Sequence, residues 1–320
     1  MNTVAYDFAN RVILQFEALD FGVLNNGVWT AAFTASSVKV CNYELTLAPA
    51  SESSSSSWTY KLYINGKNPG ALEDLQKNCE FARISKVEIN DEEMDDGRIW
   101  KDEHLEIIQR LICAHPHVSM MDCLPEGYIH TAMDILKRID ATRTLSNLSL
   151  WYLSPECVDI ASQQLATGHL MEFSNYGSWP DTLRPHIVSH ATTQRKLNLF
   201  LDKVDFPLFT IFFERFLRSD LDRWSTIKGY SLFSFEDICA VRPDLQADVG
   251  EDDITWRFEE DNVVHELFAV VTELEDQDDK LWTSFDLQLR DKIQMDKFIN
   301  PFNDGAPFIP QYNQSELSEF

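Results

Sequence analysis

Residues 145–151 read Leu145-Ser146-Asn147-Leu148-Ser149-Leu150-Trp151, and residues 197–201 read Leu197-Asn198-Leu199-Phe200-Leu201. Leu148 and Leu150 in the first, and Leu197, Leu199 and Leu201 in the second, stand at alternate positions, which is the pattern of a strand with one buried face. Each leads into a helical pattern. The first is followed by Val158, Ala161 and Leu165, the second by Phe206, Phe209, Phe212, Phe213, Phe216 and Leu217. The same couplet recurs outward from these two. Residues 84–89 precede Leu105, Ile108, Leu111 and Ile112. Residues 118–123 precede Ile129, Met133, Leu136 and Ile139. Residues 170–173 precede an apolar set over 183–188.

Equivalent strand positions Met120, Leu148, Phe173 and Leu199 lie 28, 25 and 26 residues apart. That spacing falls within the period of leucine-rich repeats, about 20–29 residues, although no unit carries an asparagine ladder. Each couplet exposes an apolar face that only a neighbouring couplet can cover. The expectation for 84–229 is therefore an irregular β/α leucine-rich-repeat-like solenoid in an α/β protein. An open α/β sheet would give a similar local pattern; the short, near-periodic units favour the solenoid.

The flanks read differently. Phe8, Val12, Phe16 and Leu19 have helical spacing, which predicts a small helical cap over 1–36. Residues 37–83 read as a strand-rich linker, with runs at 39–47 and 58–64 around a serine-rich loop at 51–57. Residues 230–290 predict a C-terminal antiparallel β unit. It has a Ser234-capped helical turn followed by strands at 254–258, 263–271 and 281–289. Residues 291–320 are polar and interrupted by proline, and predict a flexible tail.

The period of two also assigns faces. With Leu148 and Leu150 in the core, Asn147 and Trp151 point to the other side. With Leu197, Leu199 and Leu201 inward, Asn198 and Phe200 point outward. These four form the candidate partner face. Large aromatics on such a surface mark an interface anchor unless the C-terminal unit folds over them.

The chain has 320 residues, 44% hydrophobic and 12% aromatic, enough for a sizeable core. Its formal charge is -25, and from Asp244 to Asp296 there are 17 acidic against 4 basic residues. Such a charge repels phosphate backbones and anionic lipid, so neither nucleic acid nor membrane is expected as a partner. The six cysteines are scattered and the first residues have no apolar signal core, which predicts reduced thiols in the cytoplasm or nucleus.

There is no Gly-x-Ser-x-Gly, no phosphate-cradling glycine loop and no His-Glu-x-x-His, and glycine is only 11 residues. The reading is a non-enzymatic chain with no catalytic residues and no cofactor. Cys113, His115, His117 and Cys123 are all metal-ligand types, but their spacing fits no standard zinc finger, so no metal site is assigned.

Four segments carry a family resemblance. They are Asn2-Thr3-Val4-Ala5-Tyr6-Asp7-Phe8 with Val12, then Asp20-Phe21, Val23-Leu24 and Val28-Trp29, then Ala240-Val241-Arg242-Pro243-Asp244-Leu245-Gln246, and Ile254-Thr255-Trp256-Arg257. Together they resemble a nematode-expanded family of F-box-like proteins over roughly residues 1–290. The family's opening proline is Ala5 here, and no Leu-Pro-x-Glu start is present. The resemblance implies a protein-interaction protein that recruits a target to a cullin-type ubiquitin ligase. It also implies a Skp-type adaptor bound through Tyr6, Phe8, Val12, Leu24 and Trp29. A binding module of the same fold without a ligase link is the alternative reading, and an unrecognised enzyme a more distant one.

Overall fold

The computed structural model describes residues 41–290 except 51–56, 65–66, 68–69, 77–81, 92–93, 95, 121–123, 142, 219–220, 223–224, 232, 261–262 and 276–280. Residues 1–36, expected as an F-box-like helical cap, and 291–320, expected as a flexible tail, lie outside the described residues.

Seven strands form a parallel run: β1 (Cys41–Pro49), β3 (Ala82–Ile89), β5 (Ile112–Met120), β6 (Asn147–Trp151), β7 (Glu172–Tyr176), β8 (Asn198–Val204) and β9 (Thr226–Ser231). Strand β2 (Trp58–Tyr63) pairs antiparallel with β1, and the short β4 (Arg98–Ile99) pairs with β2 at that edge. At the other edge β13 (Leu281–Arg290) pairs antiparallel with β9. Strands β12 (Val263–Glu275), β11 (Asp253–Glu260) and β10 (Gln246–Val249) follow. All thirteen belong to one continuous sheet.

From β3 to β9 the parallel strands lie in sequence order. Each crossover therefore runs the same way, and because crossovers share one hand their helices collect on one face. Helices α2 (Asp102–Leu111), α3 (Glu126–Asp140), α4 (Pro155–Thr167), α5 (Arg184–Thr193) and α6 (Phe206–Leu217) touch consecutively along that face. The shorter α1 (Leu72–Gln76) packs beside α2, and α7 (Phe235–Cys239) follows β9. Strand residues Leu148, Leu150, Phe173, Leu199, Leu201 and Ile227 are buried beneath the helices.

Helix α6 anchors the antiparallel end. Asp205 caps it by accepting from the Leu208 amide at 2.8 Å, with Pro207 in the first turn. Its Phe209, Phe212, Phe213 and Phe216 are fully buried. Phe213 meets Trp256 of β11 edge-on at 4.8 Å, and Phe209 meets Phe285 of β13 at 5.1 Å. Burying each phenylalanine contributes about 1.5–3 kcal/mol. The segment after α7 adds a polar tie, since Arg242 donates to Glu214 of α6 at 2.9 Å and to Asp244 at 2.7 and 2.6 Å. Trp256 and Arg242, both in segments that carry the family resemblance, thus have structural roles here.

This architecture corrects the expected leucine-rich-repeat-like solenoid and separate C-terminal unit, while the expected helical cap over 1–36 falls outside the described residues. The molecule is a mixed α/β protein built on one broad sheet. Residues 37–83 supply β1 and β2 to that sheet, and residues 230–290 continue it through β13. The reason is edge pairing. Strand–helix alternation is common to solenoids and open sheets, and the free edges of β1 and β9 are satisfied by further strands.

Candidate functional site

Parallel sheets are usually covered on both faces. Here the described helices cover one, and the opposite face carries alternate residues of every strand. Asn147, Trp151, Asn198 and Phe200 all lie on this open face and are half-buried. The C-terminal strands join the sheet beyond β9, through β13.

Register turns the open face into rows. One row runs Lys86, His117, Asn147, Glu172, Asn198 and Thr226 across β3 to β9, each residue opposite the next. Glu172 accepts from the side-chain amides of Asn147 and Asn198 on either side, the latter at 3.5 Å. Burial, followed by nearby Lys86, pushes the His117 imidazole below its ordinary pKa. The two asparagines of the candidate face therefore hold a carboxylate between them.

The two aromatics belong to a longer strip. Trp151 lies opposite Tyr176, with ring centroids 6.2 Å apart and planes 5° from parallel. Tyr176 stacks on Phe200 at 5.1 Å, and Phe200 meets Tyr230 edge-on at 5.7 Å. Four rings thus cross β6, β7, β8 and β9 without a break. All four are half-buried, each covered in part by its neighbour. Such cross-strand aromatic pairs also stabilise the sheet, by about 0.2–1 kcal/mol each.

Asp202 lies two residues after Phe200 on β8, and its charge acts on both Tyr176 and Tyr230. Its backbone amide donates to Asn175 Oδ1 at 3.1 Å, and its carboxylate accepts from the Gly177 amide. Burial pushes its pKa up. Tyr176 and Tyr230 are also raised, first by burial, with the Asp202 charge adding to both. Gly177 has φ +80, and a Cβ there would lie 3.1 Å from Trp151 Nε1. A side chain would strain this turn and crowd the indole that begins the strip.

Beside the strip, at the C-terminal ends of β7 to β9, a cleft of about 410 Å³ is lined by Trp179, Arg184, Lys203, Asp205, Phe206 and Tyr230 among others. Its two cations are already engaged. Arg184 grips Asp205 with two hydrogen bonds, one of 2.9 Å, and Lys203 Nζ lies 3.4 Å from Ser178 Oγ.

Tyr176, Asp202 and Tyr230 were not singled out from the sequence. The alternation that marks Trp151 and Phe200 would have reached Tyr176 if continued through β7. It would have reached Asp202 if β8 were carried past Leu201. Residues 226–231, Thr226-Ile227-Lys228-Gly229-Tyr230-Ser231, carry a single aliphatic residue and a glycine, a weak strand signal. Tyr6, Phe8, Val12, Leu24 and Trp29, the adaptor-binding candidates, lie outside the described residues.

Of the cysteine–histidine cluster, Cys123 lies outside the described residues. Cys113 is buried in β5. His115 contacts Thr144 and stacks on His169 at 5.4 Å, while His117 lies in the open-face row. Glu73, Glu103 and His104 do place ligand atoms within 4.8 Å of one another. Both His104 nitrogens are already bonded, Nδ1 accepting from the Lys101 amide at 3.1 Å and Nε2 lying 2.9 Å from Glu73.

No family model matches the chain, and no curated protein or solved structure matches it either. Among the described residues, no helix is long and apolar enough to cross a membrane.

Proposed function

We propose that this chain is a non-enzymatic protein-interaction protein of the cytoplasm or nucleus, whose partner docks on the open face of the sheet. The observation that carries this reading is the unbroken strip Trp151, Tyr176, Phe200 and Tyr230 on the face that no described helix covers. Aromatic side chains with partial exposure supply large contact area at low entropic cost, which is why they dominate interface anchors. Proximity labelling in cells tests it, with the wild-type chain compared against Phe200→Ala. Labelled proteins that disappear with Phe200→Ala, while the variant keeps its far-UV circular dichroism and expression level, support the reading. An unchanged set sinks it.

The resemblance of the first residues to F-box-like proteins adds a narrower proposal. Tyr6, Phe8, Val12, Leu24 and Trp29 bind a Skp-type adaptor, and the open face then selects the target for a ubiquitin ligase. A pull-down of the intact chain with purified Skp adaptor tests this part alone. Capture that is lost on Phe8→Ala supports it, and no capture leaves a binding module without a ligase link.

A further inference from the structure

The open face is not electrically neutral where its rings are. Lys86 is paired with Glu88 at 3.0 Å, and Lys228 with Asp286 at 2.8 Å. Lys203, next to Asp202 in sequence, lies against Ser178. Glu172 is held by two neutral amides, and Asp202 accepts from a backbone amide and feels the charge of Lys203; neither is in ion-pair contact with lysine or arginine among the described residues. Two carboxylates with no ion-pair contact therefore share this face with the strip of aromatic rings. The whole chain, at -25, adds a long-range field that draws in cations.

We infer that the occupant of this strip is an arginine-bearing segment of a protein partner, its guanidinium lying against the rings of Tyr176, Phe200 and Tyr230 and facing Asp202. This rests on the reading of the open face as a partner surface and adds the chemistry of the contact. The planar guanidinium suits the site for two reasons. It stacks flat on aromatic faces, and its fork of donors matches a carboxylate. Asp202 accepts one bond from the Gly177 amide and keeps its remaining lone pairs for a ligand. Its burial means that an arriving cation meets a poorly hydrated carboxylate, where charge-assisted hydrogen bonds are strongest.

The experiment uses the full chain and fluorescence anisotropy at physiological ionic strength. The probes are a labelled peptide of arginines spaced by glycine and serine, and its lysine and citrulline counterparts. The arginine peptide is expected to bind saturably, the lysine peptide more weakly and the neutral citrulline peptide not at all. Tyr176→Leu, which removes a ring without changing charge, should weaken arginine-peptide binding about tenfold. Asp202→Asn should do the same, while Asp202→Glu should restore most of the affinity. Glu251→Gln, at an exposed carboxylate between β10 and β11, should change it less than about twofold.

Equal losses for Asp202→Asn and Glu251→Gln would reduce the effect to diffuse charge and overturn the inference. Tighter binding of the lysine peptide would overturn the guanidinium assignment. If Phe200→Ala abolishes proximity labelling yet no arginine peptide binds, the partner-face reading stands and this inference falls. If labelling survives Phe200→Ala, both fall.

Discussion

Tyr176 and Phe200 stack across adjacent parallel strands, with ring centroids 5.1 Å apart and planes 29° from parallel. They come from different diagonal positions, since Ser174, not Tyr176, lies directly opposite Phe200. The contact therefore links two rows of the open face and joins Trp151 to Tyr230.

Phe200→Ala separates binding from folding. The ring is half-buried on the open face, so truncation should destabilise the protein by about 1–2 kcal/mol, less than a core phenylalanine costs. Urea denaturation reads the stability term. A loss above that range would mean that Phe200 acts chiefly as core.

Phe213→Ala tests the joint between the parallel and antiparallel parts of the sheet. The ring is fully buried against Trp256. Its removal should cost about 3–5 kcal/mol in urea denaturation. A cost near that of Phe200→Ala would show that the strands after β9 contribute little to folding.

Gly229→Ala should destabilise the junction of β8 and β9. A Cβ at Gly229 would lie 2.5 Å from the Leu201 carbonyl oxygen, a backbone atom that cannot swing away. The register between these strands already shifts between Leu201 and Val204, and glycine in a strand commonly marks such an approach. The expected cost is about 1–3 kcal/mol. A melting temperature equal to wild type would contradict it.

Glu73 gives a pH signature. The hydrogen bond with His104 leads the causes that hold its carboxyl down to about 2. A carboxylate with a folded pKa below its unfolded value of about 4.3 stabilises the protein above that value. The contribution fades as pH falls through the folded pKa. The stability gap between wild type and Glu73→Gln should therefore be largest above about pH 5 and shrink toward pH 2. Urea midpoints across that range measure it, and a constant gap would show that the His104 contact does not act through charge.

Much of the local structure was legible in the chain itself. The leucines at 148 and 150 and at 197, 199 and 201 are buried, and their intervening residues Asn147, Asn198 and Phe200 reach the other face. Ser234 caps a short helix through the Asp237 amide, as its sequence suggests. These features follow from the chain's own geometry, because strand side chains repeat every two residues and helical ones about every 3.6. A local period carries that information without reference to any distant residue.

What the tertiary structure decided was which edges pair and in what register. Nothing local in Thr226–Ser231 or Leu281–Arg290 states that these strands lie side by side, yet that pairing turns a series of β/α couplets into a thirteen-stranded sheet. The candidate site depends on the same choice. Trp151, Tyr176, Asp202 and Tyr230 lie far apart in sequence and meet only because four strands align with a register shift after Leu201. Slipping one strand by a residue would turn its rings to the helix-covered face, so the strip is a property of inter-strand hydrogen bonding and packing, which no single segment encodes.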